Sequence, residues 1–263
     1  TNPGIVRVAL IGCGSISRAH VAGALKHPGK IRYTALCDVL PERMEERSNQ
    51  LGGVSLRFTD WKQMFKSAKK EFDAVDICLP HHLHGSAIMD AAAAGKHILC
   101  EKPMCTSLKQ ADEIAAAISK AGVIYMSAHN QLFMPAVHEA KRMIQAGEIG
   151  RVLWVRSADC FRAPMIARQN WGWRANLINQ GGGELIDTGY HPTYRLLYLV
   201  DSPVVEVRSV MGRYLQEIDG EDTASVQVRF ANGTIGEILT SWAFPLPYGT
   251  HQIHIIGEEG QLF

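Results

Sequence analysis

The chain lacks the features that mark a membrane, nucleic-acid-binding or disulfide-bonded protein. No run approaches the roughly 20 consecutive apolar residues needed to cross a bilayer, so no membrane partner is expected. The first ten residues show no charged segment ahead of a long apolar stretch, so no secretory leader is expected. Neither sign of charge dominates, with 27 Lys and Arg against 26 Asp and Glu, which gives no electrostatic reason to expect nucleic acid as a partner. Cysteine is sparse: Cys13, Cys37, Cys78, Cys100, Cys105 and Cys160 form no C-x-x-C pair. Three of them close apolar runs, where Cys behaves as a small buried hydrophobe. The expectation is therefore a reducing, cytoplasmic setting without a disulfide framework. No metal is expected either, because His81, His82 and His84 have no carboxylate or Cys cluster at ligand spacing.

What is present is an ordinary globular balance, 46% hydrophobic and 20% charged over 263 residues, enough for one large domain or two modest ones. Through about residue 127, short apolar runs alternate with amphipathic stretches. Strands are predicted at 5–11, 32–37, 54–58, 74–79, 97–100 and 123–127, with helices between them to about 26 and at 41–51, 60–65, 82–94 and 107–121. Gly95 and Gly122 stand where helix C-caps belong. This alternation predicts an α/β Rossmann-like domain, a doubly wound parallel sheet, over 1–127.

After Pro135 the rhythm changes. One helix is predicted at 136–146 and another at 184–199, with strands at 151–161, 204–212, 223–230, 234–242 and 252–256. Asn232-Gly233 between two alternating runs is a hairpin signal. Strands without intervening helices predict an α+β domain with an open, mainly antiparallel sheet over 128–263.

Gly12-Cys13-Gly14-Ser15-Ile16-Ser17 lies between the first strand and the first helix. Gly12 permits a tight turn, Gly14 allows close approach of a pyrophosphate, and the N–H groups around Ser15 and Ile16 at the helix start face that anion. Ser17 takes the third glycine's place. Asp38, at the end of the second strand, is positioned to accept hydrogen bonds from the adenosine ribose. An acid there repels a 2′-phosphate, so NAD is favoured, while Arg43 leaves NADP open. A glycine turn without nucleotide, and Asp38 as a plain helix cap, are the bland alternatives.

Two further constellations carry chemistry. Glu101-Lys102-Pro103 follows the fifth strand at the carboxyl edge, where open α/β sheets bind ligands. Gly181-Gly182-Gly183-Glu184-Leu185-Ile186-Asp187-Thr188-Gly189-Tyr190-His191 places Asp187 and His191 four apart, on one face of a predicted helix. Such a pair can act as an oriented acid/base couple or simply brace the helix.

Together with Pro80-His81-His82-Leu83-His84 and the run 94–103, these motifs resemble the glucose–fructose oxidoreductase / inositol dehydrogenase (Gfo/Idh/MocA) family over essentially the whole chain. The resemblance implies an NAD(P)-dependent dehydrogenase acting on a CH–OH group of a sugar, inositol or polyol. It makes Lys102 the catalytic lysine, Asp187 a contact to substrate and lysine, and His191 the general base. It also implies a cis bond before Pro103, a cofactor channel lined by Pro80, His81, His84 and Glu101, and substrate contacts from Trp173 and Arg174. Trp171 and Trp173 can equally serve as loop-anchoring packing. The resemblance further implies a homo-oligomer, a dimer or tetramer.

The chain departs from the family pattern at His81, where Asn is common, at Leu132, where Arg is common, and at Tyr194, where an Asp often follows the His by three. These departures leave substrate identity open. The sequence also stops where the family usually continues, so a naturally short member and a missing C-terminus are both consistent with it. A redox-neutral NAD-dependent glycoside hydrolase and a non-catalytic dinucleotide-binding regulator remain the alternatives in function.

Overall fold

The computed structural model describes residues 4–263. Two compact units divide the chain, Thr1–Ala128 and His129–Phe263.

In the first unit, β1 (Val6–Ile11), β2 (Ile31–Cys37), β3 (Leu56–Phe58), β4 (Ala74–Ile77), β5 (His97–Cys100) and β6 (Tyr125–Ser127) form one parallel sheet in the order β3-β2-β1-β4-β5-β6. The connections are α1 (Ser17–Leu25), α2 (Pro41–Gln50), α3 (Trp61–Ala68), α4 (His81–Ala93) and α5 (Leu108–Ala121). Strand side chains alternate between faces, so β1 feeds two cores. Ala9 and Ile11 pack with Met64, Ala87, Ile88 and Ile114 of α3, α4 and α5. Val8 and Leu10 pack with Val21 of α1 and Met44 of α2 on the other side. Local signals set the helix ends: Asp60 accepts the N–H of Lys62, Ser107 that of Gln110, and Gly122 ends α5 in the left-handed region. The strand order reverses between β1 and β4, and this is the crevice where doubly wound sheets bind ligands.

In the second unit, α6 (Pro135–Gln145), β7 (Val152–Cys160), the short α7 (Leu177–Gln180) and α8 (Tyr190–Val200) precede β8 (Val204–Gly212), β9 (Thr223–Phe230), β10 (Ile235–Ser241), β11 (Ile253–Gly257) and β12 (Gln261–Leu262). The sheet order is β12-β11-β7-β10-β9-β8, antiparallel except for the β7–β10 pair. One face of β9 (Ala224, Val226, Val228, Phe230) packs with Leu196, Leu199 and Val200 of α8 in a single core. Gly233 takes φ +89° in the β9–β10 turn, as the Asn-Gly signal requires. No helix among the described residues is long and apolar enough to cross a membrane.

One expectation fails. The helix predicted at 184–199 begins only at Tyr190, and Asp187 lies in the turns before it rather than on a helical face shared with His191. The cause is tertiary. A Cβ on Gly183 would stand 2.1 Å from the carbonyl oxygen of Glu221, so the glycine run lies directly against that loop. Glu221 then captures the backbone N–H of Glu184 through its carbonyl oxygen (2.8 Å) and that of Leu185 through its carboxylate (3.0 Å).

This packing makes neighbouring glycines unequal. Gly183→Ala forces two backbones apart and is expected to cost about 3 kcal/mol, whereas Gly182→Ala, which meets only the Ile186 side chain at 3.1 Å, should cost roughly 1 kcal/mol or less. Urea midpoints of the two variants check the order; equal midpoints would contradict it.

Candidate active site

The glycine turn is built against the end of β4. Gly12 holds φ +93°, and a Cβ there would lie 2.3 Å from the Cys78 carbonyl oxygen. Gly14 is different, because among the described residues no atom beyond its own chain neighbours lies within 4 Å of where its Cβ would be. Packing within the protein does not require that glycine, and the open space beside it suits a phosphate group. Ser17 is fully buried and donates from Oγ to the Gly14 carbonyl oxygen (2.6 Å), so the hydroxyl occupies the third glycine's place and fastens the turn to α1. Ile16 holds the N-cap position of α1, and no side chain caps that end. Beside Ser15, it therefore presents the positive end of the helix dipole to an anion.

Asp38 is buried. Its Oδ2 accepts the Cys13 N–H (2.7 Å) and its Oδ1 that of Leu40 (2.9 Å). Each carboxylate oxygen keeps a second lone pair, so bracing the turn is compatible with receiving ribose hydroxyls. The groove at 12–17 and Asp38 thus fit a dinucleotide.

At the ends of β4 and β5 the loops are cross-tied. Pro80 occupies the N-cap position of α4, with His81 and His84 buried on its first turn. His84 bridges two loops, its Nδ1 2.6 Å from the Pro103 carbonyl oxygen and its Nε2 2.8 Å from that of Leu79. The Lys102–Pro103 bond is cis.

Beneath these loops lies a network absent from the sequence-based expectations. His20 of α1 places Nδ1 at 2.9 and 3.0 Å from the two Asp76 oxygens and Nε2 at 3.0 Å from Glu101 Oε1. Tyr33 donates to Asp76 (2.5 Å), and the other Glu101 oxygen accepts the Lys102 backbone N–H (3.1 Å). Burial alone would lower the His20 pKa, but hydrogen bonds to Asp76, Cys78 and Glu101 hold it far above its ordinary value. Glu101 moves the opposite way: burial raises it, and His20 and Lys102 bring it below the usual carboxylate range. The ring is therefore an imidazolium between two carboxylates. His20, Asp76 and Cys78 lie close enough together to hold a metal ion, yet this ion pairing already satisfies the ring and both acids. The available signal was Asp76, an acid inside the otherwise apolar strand Ala74–Ile77.

The second unit gathers its own polar cluster. Asp187 is buried, and its Oδ2 accepts from Arg174 Nε (2.6 Å), whose guanidinium lies 4.2 Å over the Trp173 ring. Trp171 belongs instead to a core with Trp242, the rings 4.5 Å apart, which is the packing role. His191 Nδ1 lies 2.7 Å from Tyr194 Oη, one turn along α8. Tyr194 also receives the Gln131 backbone N–H (3.2 Å) and contacts Asn130 Oδ1 (3.3 Å), and its ring stacks on His129. Arg195, buried, donates to Gln131 Oε1 (2.7 Å), to the Ala158 carbonyl oxygen (2.9 Å) and to Ser157 Oγ (3.2 Å). Glu184 is fully buried and bonded to Thr240 Oγ1. Burial, aided by Asp159, Asp187 and Glu221, pushes its pKa up to about 9, so it is a neutral acid at physiological pH.

Residues 6–129 match the family model described as an oxidoreductase family with an NAD-binding Rossmann fold, and residues 137–263 match the GFO/IDH/MocA C-terminal domain. The scyllo-inositol 2-dehydrogenase (NAD(+)) of Bacillus subtilis is 28% identical over 98% of this chain and 73% of its own length. The myo-inositol 2-dehydrogenase of Thermotoga maritima is 28% identical over 98% of this chain and 75% of its own. Among solved structures, the WlbA dehydrogenase of Bordetella pertussis in complex with NADH and UDP-GlcNAcA superposes with a TM-score of 0.86 at 25% identity, covering 98% of this chain and 77% of that one.

Two outcomes follow from the buried charges. His20→Ala leaves Asp76 and Glu101 as an uncompensated buried pair and is expected to cost about 3–5 kcal/mol by urea unfolding. An unchanged midpoint would show that the imidazolium is dispensable. For Glu184, the unfolded chain releases its proton near 4.5 and the folded chain only near 9. Folded protein therefore binds more protons across that window, and stability falls as pH rises through it, by up to about 1.4 kcal/mol per pH unit. Glu184→Gln should flatten the decline in Tm between pH 5 and 9. Parallel wild-type and variant curves would contradict the assignment.

Proposed function

Because the chain belongs to the GFO/IDH/MocA family of oxidoreductases and its first unit is that family's NAD-binding Rossmann fold, we propose that it oxidises a secondary hydroxyl of a sugar, an inositol or a related polyol. The observation that carries this reading is the polar cluster directly after the Gly181-Gly182-Gly183 turn, with Asp187 paired to Arg174 and His191 to Tyr194. Likeness to the two inositol dehydrogenases supports a cyclic polyol, and likeness to WlbA supports a sugar.

Bound NAD supplies the hydride-accepting nicotinamide. The Gly12–Ser17 turn and the N-terminus of α1 hold the pyrophosphate, and Asp38 receives the ribose hydroxyls and repels a 2′-phosphate, which favours NAD over NADP. Pro80, His81, His84 and Glu101 shape the channel beside Lys102. His191 accepts the hydroxyl proton, as suits an imidazole near neutral pH. The Lys102 ammonium stabilises negative charge as it develops on the substrate oxygen. Asp187, held by Arg174 on the Trp173 ring, orients the substrate.

The test is NADH formation at 340 nm across a panel of inositols, aldoses and nucleotide sugars. With the best substrate, Lys102→Ala is expected to lower kcat/KM by about 10²–10³-fold while NAD affinity stays within about threefold. His191→Gln should lower kcat by about 10²–10⁴-fold. Retained NAD binding with no turnover across the whole panel would overturn the reading, as would Lys102→Ala with undiminished rates.

A further inference from the structure

We infer that Tyr194 is a positioning residue that holds His191 in its Nδ1–H tautomer, so that Nε2 is the nitrogen able to take up a proton. The inference concerns the same site and rests on the reading of His191 as the base. It comes from polar contacts that meet at one phenol oxygen, those of Gln131, Asn130 and His191.

A phenol has one proton to give and two lone pairs to receive with. The Gln131 backbone N–H, 3.2 Å away, can only donate, and it takes one lone pair. Asn130 Oδ1, 3.3 Å away, can only accept, and it takes the phenol proton. The His191 Nδ1 contact, the shortest at 2.7 Å, then falls on the remaining lone pair, so Nδ1 must carry a hydrogen. With the Asn130 amide oriented oxygen toward the phenol, as it is here, the opposite assignment sets that oxygen against a phenol lone pair and loses a hydrogen bond of about 1 kcal/mol.

The surroundings keep the three partners in place. Asn130 and Gln131 open the 3₁₀ turn Asn130–Phe133, and Arg195 pins that turn to β7 through Gln131 Oε1 and the Ala158 carbonyl oxygen. His129 stacks on the Tyr194 ring at 4.4 Å, and Tyr190 meets its edge at 6.1 Å. Tyr194 and His191 are three apart on α8, so the helix itself sets their separation. The phenol thus supplies what a carboxylate supplies beside many histidines, a fixed ring and a fixed tautomer, without adding a charge.

The test reads the tautomer directly, by long-range ¹H–¹⁵N correlation on the full chain labelled with ¹⁵N-histidine at pH 8, with His191→Gln identifying the signals. Wild type should show a pyrrole-type Nδ1 and a pyridine-type Nε2 for His191. In Tyr194→Phe the Nδ1–H population should fall from above about nine-tenths to below about half. Asn130→Ala, which frees the phenol proton to turn toward Nδ1, should move the population the same way, and it serves if Tyr194→Phe does not fold. A pyridine-type Nδ1 in wild type, or spectra unchanged in both variants, overturns the inference. The tautomer as assigned, combined with full turnover in His191→Gln, would instead uphold the inference and refute His191 as the base.

Discussion

Asp76 and Glu101 lie near the carboxyl ends of adjacent strands, both withdrawn from water, and they can be buried together only because His20 stands between them as a cation. Two like charges at that depth repel strongly, since little solvent screens them. The imidazolium answers both, one ring nitrogen to each acid, and Tyr33 adds a neutral donor to Asp76. The tie links three parts of the first unit: α1, whose N-terminus faces the glycine turn; β4, whose end receives Gly12; and Glu101, which fixes the Lys102 backbone. Phosphate cradle and lysine are thereby positioned from one point.

The second unit handles its acids in three different ways. Asp187 is buried with a guanidinium partner. Asp222 is buried on backbone donors, accepting N–H groups from Tyr214, Leu215 and Gln216. Glu184 has no cation on its carboxyl and keeps its proton. The difference follows from available partners, because an unpaired buried carboxylate costs more than a protonated one.

The first unit was legible in the sequence because its signals are local. Strand and helix periods alternate cleanly, caps such as Asp60, Ser107 and Gly122 sit where propensity puts them, and Asp38 falls at the strand end that the glycine motif anticipates. What escaped depends on residues far apart in the chain. His20 meets acids 56 and 81 positions away, and no spacing rule reveals that. The helix predicted at 184–199 failed for the same reason: its first turns are claimed by Glu221, more than thirty residues on. The four-residue spacing of Asp187 and His191 suggested one helical face, whereas Asp187 lies before the helix with Arg174 on its carboxylate, and Tyr194 meets His191.

The presence of a phenol beside His191 is intelligible from the charge already in that region. Asp159, Asp187 and Glu221 together help drive Glu184 to stay protonated, so the local field already opposes further negative charge. Arg174 is committed to Asp187, and Arg195 to carbonyl and hydroxyl oxygens and Gln131. A carboxylate at position 194 would add a further anion to this unit and favour the protonated form of the neighbouring histidine. A tyrosine orients the ring through a neutral contact and adds no charge.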